Sequence, residues 1–289
     1  MSQDNEDNGP TCPKSHSKPP AYTGDLEQAR PELKPRHYAA RDLLNHTVGS
    51  FHELSDRKLS HIQLEAKKKF LKAYKSHARL TTSKLHQKNL LRILNDLMAH
   101  IDDFFFFGAL RKSSTASVRL TISLTGAYPG LVGYCEYLND ENGIPQSHIT
   151  IARRYEGSLR NLPQLVITLL HEMIHAFLWS YARRIDKCLR NIVNTVGADG
   201  SLHGPTFGAF DFATMNCISQ WDSQLDEYLT KENFGKFVGF LDQPALAREV
   251  EEPEAAKARG ELTGYRPLIK KASRRHLIQI TDEKVYIDT

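Results

Sequence analysis

Leu162–Trp179 reads LPQLVITLLHEMIHAFLW, and the chain's fold is decided by how its apolar residues recur. Leu165, Val166, Leu169, Leu170, Met173, Ile174, Phe177 and Leu178 repeat at i, i+1, i+4 and i+5, which predicts a helix with a wide apolar stripe turned to a core. Thr168, His171 and His175 fall on the remaining arc, so the imidazoles leave the packed side and are expected to face a cleft. Asn161 is placed to cap the helix and Pro163 suits its first turn, while Arg183, Arg184 and Lys187 suit its negative end.

Two histidines four residues apart on a helix lie on one face, with about 5 to 6 Å between Cβ atoms, a spacing that suits one tetrahedral metal ion. In the pattern His171, Glu172, Met173, Ile174, His175, the glutamate has the general-base role that this motif carries in zinc hydrolases. The bland reading makes His171 and His175 core histidines bonded to backbone, with Glu172 in an ion pair. Burying two imidazoles and a carboxylate on an apolar helix is costly without a metal or partners, which favours the metal reading.

A zinc site needs a third protein ligand. The extended metzincin pattern would place Gly at 178 and His at 181, where Leu178 and Tyr181 stand. A glutamate ligand from a following helix is disfavoured, because no Glu occurs between Glu172 and Glu227. His203 is the leading candidate, with Asp199 and Asp211 as weaker ones. Gly197 and Gly200 mark a turn before His203, and Gly204 and Pro205 open a new helix after it, so its direction can be fixed. That helix repeats Phe207, Phe210, Thr214, Ile218 and Trp221 along one face and supplies a second packed wall. Asp211 is also a candidate to orient a ligand imidazole from behind.

Several stretches in order carry a family resemblance: Phe104 to Leu110 (FFFFGAL), Gly133 to Tyr137 (GYCEY), His148 to Ile151 (HITI), Thr168 to Ala176 (TLLHEMIHA) and His203 to Phe207 (HGPTF). From about residue 95 to 225 the chain resembles the SprT-like zinc metalloproteases, which include the Spartan-type DNA-protein crosslink proteases. The resemblance implies an α+β zincin-like metalloprotease domain, helices packed on a small, mainly antiparallel sheet. It also implies zinc held by His171, His175 and His203, with Glu172 as the catalytic base. Three features depart from the pattern. The 27 residues between His175 and His203 exceed the family's compact interval, Thr206 stands where an acid is frequent, and no cysteine pair with zinc-ribbon or finger spacing follows the domain.

The expected organisation is a disordered tail over 1–36, a metalloprotease domain over 37–243 and a charged tail over 244–289. Residues 1–36 are rich in Pro, Ser, Asn and charge. From about His37 to Leu110 the pattern is helical, with Ile62, Leu64, Phe70, Leu71 and Tyr74 in one segment and Leu90, Leu91, Leu94, Leu97 and Met98 in another. Thr81 to Ser83 marks a break and cap between them. Strands are expected over about 117–125, 132–138 and 147–152, the last two joined by a turn containing Asn142 and Gly143. An edge strand of that sheet would pair with an extended polypeptide substrate. The end of the chain is charged over Glu249 to Glu261, carries a basic cluster at Lys270 to Arg275 and closes with strand-like alternation after Leu277.

The 289 residues, 40% of them hydrophobic, can bury one substantial core. Four scattered cysteines (Cys12, Cys135, Cys188 and Cys217) suit a reducing compartment, with Cys135 and Cys217 as small core residues, so an intracellular location in nucleus or cytoplasm is expected. The first thirty residues hold no apolar signal core, and the longest apolar run carries two histidines and a glutamate, so neither secretion nor a membrane span is expected. Charge is locally uneven: between Arg57 and Arg92 stand eleven Lys or Arg against one acid, Glu65, although the whole chain carries only +4. Such helices could track DNA phosphates, or form a solvated face balanced by acids elsewhere. Two functions follow as expectations. One is a zinc-dependent endopeptidase, with DNA-associated or crosslinked proteins as a substrate class; the other is a non-catalytic, zinc-stabilised nucleic-acid or protein binding module.

Overall fold

A helix whose residues are apolar on almost every side has to be surrounded, and Leu162–Tyr181 is. In the computed structural model this helix lies between a sheet on one side and three other helices on the other. The structure describes residues 18–19, 32–52, 54–78, 82, 85–111, 119–127, 131–139, 145–183, 195 and 203–225. Among them the order is α1 (Ala40–Val48), α2 (His61–His77), α3 (Gln87–Phe105), β1 (Arg119–Ala127), β2 (Gly133–Asn139), β3 (Pro145–Tyr155), β4 (Ser158–Leu159), α4 (Leu162–Tyr181) and α5 (Pro205–Ser219). The fold is therefore mixed α+β. The expected tail over 244–289, the residues after 225 and most of 1–36 lie outside the described residues, as do Cys12 and Cys188.

α4 starts where its capping residues require. The Asn161 side chain accepts from the Gln164 N–H at 2.9 Å while the Gln164 side chain accepts from the Asn161 N–H at 2.9 Å, a reciprocal box that satisfies two donors otherwise orphaned. All eight stripe residues from Leu165 to Leu178 are buried. Burial extends round the helix: Thr168, on the arc of the imidazoles, is covered where β2 packs at Gly133. α4 is long and apolar enough to cross a membrane by length and composition, but 89% of its most apolar window is buried inside the fold.

The sheet is mixed rather than mainly antiparallel, which corrects the expected arrangement. β3 is central: β2 runs antiparallel to it from Gly133 opposite Ile151 to Asn139 opposite Pro145, while β1 runs parallel to it from Arg119 opposite Gln146 to Ala127 opposite Arg154. The β2–β3 hairpin is the one the turn residues predict. The parallel pair arises because β3 inserts between β1 and β2, an order that strand alternation does not encode.

The helical half packs by aromatic residues. Phe104 and Phe105 at the end of α3 close on Trp221, with ring centroids 4.6 and 5.5 Å apart, while Phe106 turns to Phe177 of α4 at 5.1 Å and to Phe210 of α5 at 5.8 Å. Removing the fully buried Phe177 ring would cost about 3 to 5 kcal/mol. Phe107 and Gly108 then take positive φ of 59° and 71°, and the buried Asp102 carboxylate receives the Leu110 and Arg111 N–H groups, both at 3.1 Å, to complete the corner.

On α2 the buried face is Gln63, Ala66, Phe70 and Tyr74, whereas Ile62, Leu64 and Leu71 are only partly covered. A buried glutamine is the reason for the shift. Gln63 caps the helix with Ser60, and its amide donates to the Ser50 and Phe104 carbonyls at 3.1 and 3.2 Å. The break after α2 falls where expected, but the cap of α3 is His86 rather than a residue of 81–83; its Nδ1 accepts from the Lys88 N–H at 3.4 Å.

Candidate metal centre

Three imidazoles from two elements meet at one point. His171 and His175 come from consecutive turns of α4, and His203 stands just before Gly204, the residue that caps α5. Pro205 at the first turn of α5 fixes the approach of the chain there. Nε2 of His203 lies 3.2 Å from Nε2 of His175 and 3.3 Å from Nε2 of His171, and the three nitrogens all fall within 4.8 Å of one another. Donors at about 2.0 to 2.1 Å from a common tetrahedral ion stand close to 3.3 Å apart.

The chemistry of the donor set supports a cation at that point. Nδ1 of His171 faces Oδ1 of Asp211 at 3.3 Å, so a ring that binds a cation through Nε2 keeps its one remaining proton on Nδ1. A proton on His203 could serve one neighbouring imidazole nitrogen but not both. The group His171, His175 and His203 could therefore hold a metal ion. Phe207, one turn into α5, forms the floor: its ring stacks on His175 at 4.0 Å and lies 4.8 and 4.9 Å from His203 and His171. Phe207 is fully covered, so it excludes water from the inner side of the cluster.

Electrostatics around the cluster are uneven. Burial works against charge on His171, but the Asp211 carboxylate, by charge and hydrogen bond, and the Glu172 charge together lift its pKa to about 9. The ring keeps 28% of its surface open to solvent and Asp211 keeps 15%. Glu172 is only 4% exposed, and burial raises its pKa to about 7, with His171 pulling down and Asp211 pushing up.

Glu172 lies on the side of the helix that faces β2. Its carboxylate is turned to β2, where Oε1 would stand 3.4 Å from a Cβ placed on Gly133. Thr168, one turn earlier on the same side, would meet that Cβ at 2.5 Å. Gly133 thus lets the strand approach the helix closely at the level of the glutamate.

The structure brings His171, His175 and His203 together and adds Asp211 behind His171, while Glu172, next to His171 on α4, turns its carboxylate to β2. Asp211 is not a third donor to the cluster, since it faces the opposite nitrogen of the His171 ring; Asp199 lies outside the described residues. In the sequence Thr168 falls on the arc of the imidazoles, and Gly133 and Phe207 stand in the stretches that carry the resemblance, but their contacts at the site are not legible there. No protein-family model, curated protein or solved structure matches the chain.

Proposed function

We propose that the chain is a zinc-dependent endopeptidase of SprT-like, zincin type. The observation that carries this reading is the convergence of three imidazole nitrogens beside a buried glutamate on the helix that supplies two of them. His171, His175 and His203 would hold the zinc, which when bound supplies Lewis acidity toward a peptide carbonyl and acidifies water at its open position.

The chain's own residues do the rest. Glu172 accepts a proton from the attacking water and returns it to the leaving nitrogen. Asp211 holds the His171 ring in the tautomer whose Nε2 faces inward. β2 offers a place for the substrate backbone. The Val132 carbonyl accepts from the Ala152 N–H at 3.0 Å, so in the antiparallel register Gly133 and Cys135 turn their own N–H and C=O groups to the outer edge. Among the described residues no strand pairs with that edge, and an extended polypeptide added there would run past Glu172 at Gly133.

DNA-associated proteins as substrates, DNA contact through the basic helices and an intracellular setting belong to the same proposal. Exposed Lys69, Lys72 and Lys75 on α2, with Lys88 and Arg92 on α3, support the DNA contact. Part of the positive charge is already neutralised, since Lys67 pairs with Asp56 at 2.8 Å and Lys68 with Glu65 at 3.1 Å.

The test is Glu172→Gln in the full chain, assayed on an unfolded protein with and without single-stranded DNA. The expected result is about one zinc per chain in both proteins, with cleavage lost only in the variant. A cleavage rate unchanged by the substitution refutes the reading. Zinc retention with no cleavage by the wild type favours a binding module organised by the metal.

A further inference from the structure

Arg160 sits between β4 and the cap of α4 and is only 4% exposed. Its guanidinium binds three elements at once. Nη1 donates to the Val132 carbonyl at the start of β2 at 2.8 Å and to the Ala152 carbonyl of β3 at 3.0 Å. Nη2 donates to the Gln164 carbonyl of α4 at 2.7 Å and to Oγ1 of Thr168. A planar fork of N–H donors is needed to reach acceptors in these directions, which an ammonium cannot reproduce.

The Thr168 hydroxyl is thereby fixed, and its methyl is aimed at Gly133, where an added Cβ would stand only 2.5 Å away. Glu172 follows Thr168 by one turn, and its Oε1 borders the same point at 3.4 Å. The spacing between the edge strand and the glutamate is thus set by a chain of contacts from Arg160 through Thr168 to Gly133.

We propose that Arg160 is a positioning residue for Glu172, acting through Thr168 and Gly133 to hold the carboxylate at a fixed height against the β2 edge. The inference rests on the peptidase reading for its consequence in catalysis and on packing alone for its geometry. The acceptors of the Arg160 guanidinium at Val132, Ala152, Gln164 and Thr168 are neither imidazoles of the cluster nor groups that β2 turns to its outer edge, so its loss acts on placement.

The test uses the full-length zinc-loaded protein. Arg160→Lys keeps the charge and loses the fork; kcat is expected to fall about 100-fold, with KM within about twofold of wild type and zinc content unchanged. Gly133→Ala is expected to lower kcat similarly, because the new methyl collides with the Thr168 methyl. Adding Thr168→Ser to Gly133→Ala removes that methyl, keeps the hydroxyl for Arg160 and is expected to recover part of the lost kcat, with the Thr150 carbonyl still 3.3 Å from the new Cβ. Crystal structures of Arg160→Lys and Gly133→Ala provide a readout independent of activity, with a Glu172 carboxylate displaced by about 1 Å as the expected result.

Unchanged kcat in both single variants of an active enzyme overturns the proposal, as does a double variant no better than Gly133→Ala. If the wild type cleaves nothing, the peptidase reading fails separately. The structures then decide the positioning claim alone, and an unmoved Glu172 carboxylate overturns it.

Discussion

Oδ1 of Asp211 lies 3.3 Å from Nδ1 of His171, while Nε2 of the same ring faces His203. In a ring bound to a cation through Nε2, the carboxylate therefore keeps the remaining proton on Nδ1 and raises the basicity of Nε2. Asp211→Ala should leave the three imidazoles in place and weaken metal binding about 10- to 100-fold, the usual effect of removing such a partner. Competition against a chromophoric chelator measures this. An affinity equal to wild type would show that Asp211 plays no part in the site.

Removal of the metal should also be felt by the fold, because the ion would join α4 to the entrance of α5 through His203. An ion at 100 times its Kd adds about 2.7 kcal/mol to stability, provided the unfolded chain does not bind it. Treatment with a chelator is expected to lower Tm and added zinc to restore it. In His203→Ala that response should shrink sharply, since two imidazoles alone make a weak site. A Tm indifferent to chelator in the wild type would contradict a resident ion.

Much of the site could be read from sequence because helical periodicity is local. The separation of His171 and His175 and the apolar stripe between them follow from 3.6 residues per turn, and the Gly204–Pro205 step marks a helix start directly after His203. Asp211 was visible as a candidate because it lies about two turns after that start. What escaped depends on contacts distant in sequence. Nothing near Arg160 shows that its acceptors are Val132, Ala152, Gln164 and Thr168, and nothing near Gln63 shows that it bonds the carbonyl of Phe104. The parallel pairing of β1 with β3 escaped for a similar reason: alternation reports which face of a strand is buried, not which neighbour it has.

Asp102 gives a pH dependence of stability that can be isolated from the metal site. Burial raises its pKa to about 7, against the pull of the Leu110 and Arg111 N–H groups and the Arg111 charge. The folded protein thus keeps a proton that the unfolded chain releases near the ordinary value of about 3.9. Between those values the unfolded state binds fewer protons, so this residue's contribution is fully present below about pH 4 and is lost as pH rises through about 7. The slope is at most about 1.4 kcal/mol per pH unit. Asp102→Asn, which cannot ionise, should lack this component while losing some stability at every pH, because its amide offers one acceptor where the carboxyl offers two. Denaturant melts of both proteins at pH 5, 6, 7 and 8 compare the slopes, and parallel curves would mean that Asp102 does not titrate in this range.

The lysines of α2 allow the DNA proposal to be separated from the metal. Lys69, Lys72 and Lys75 are exposed along one side of the helix, remote in sequence from the cluster on α4 and α5. If they neutralise phosphates, replacing all three by alanine should weaken DNA binding and lower the slope of log K against log salt by about 0.9 for each duplex phosphate left without its lysine. Metal content and Tm should be unaffected, because these side chains carry no core packing. Fluorescence anisotropy with a labelled duplex across a salt series measures both quantities. Equal affinity and slope in the triple variant would assign this face to solvent, and DNA binding would then have to come from another part of the chain.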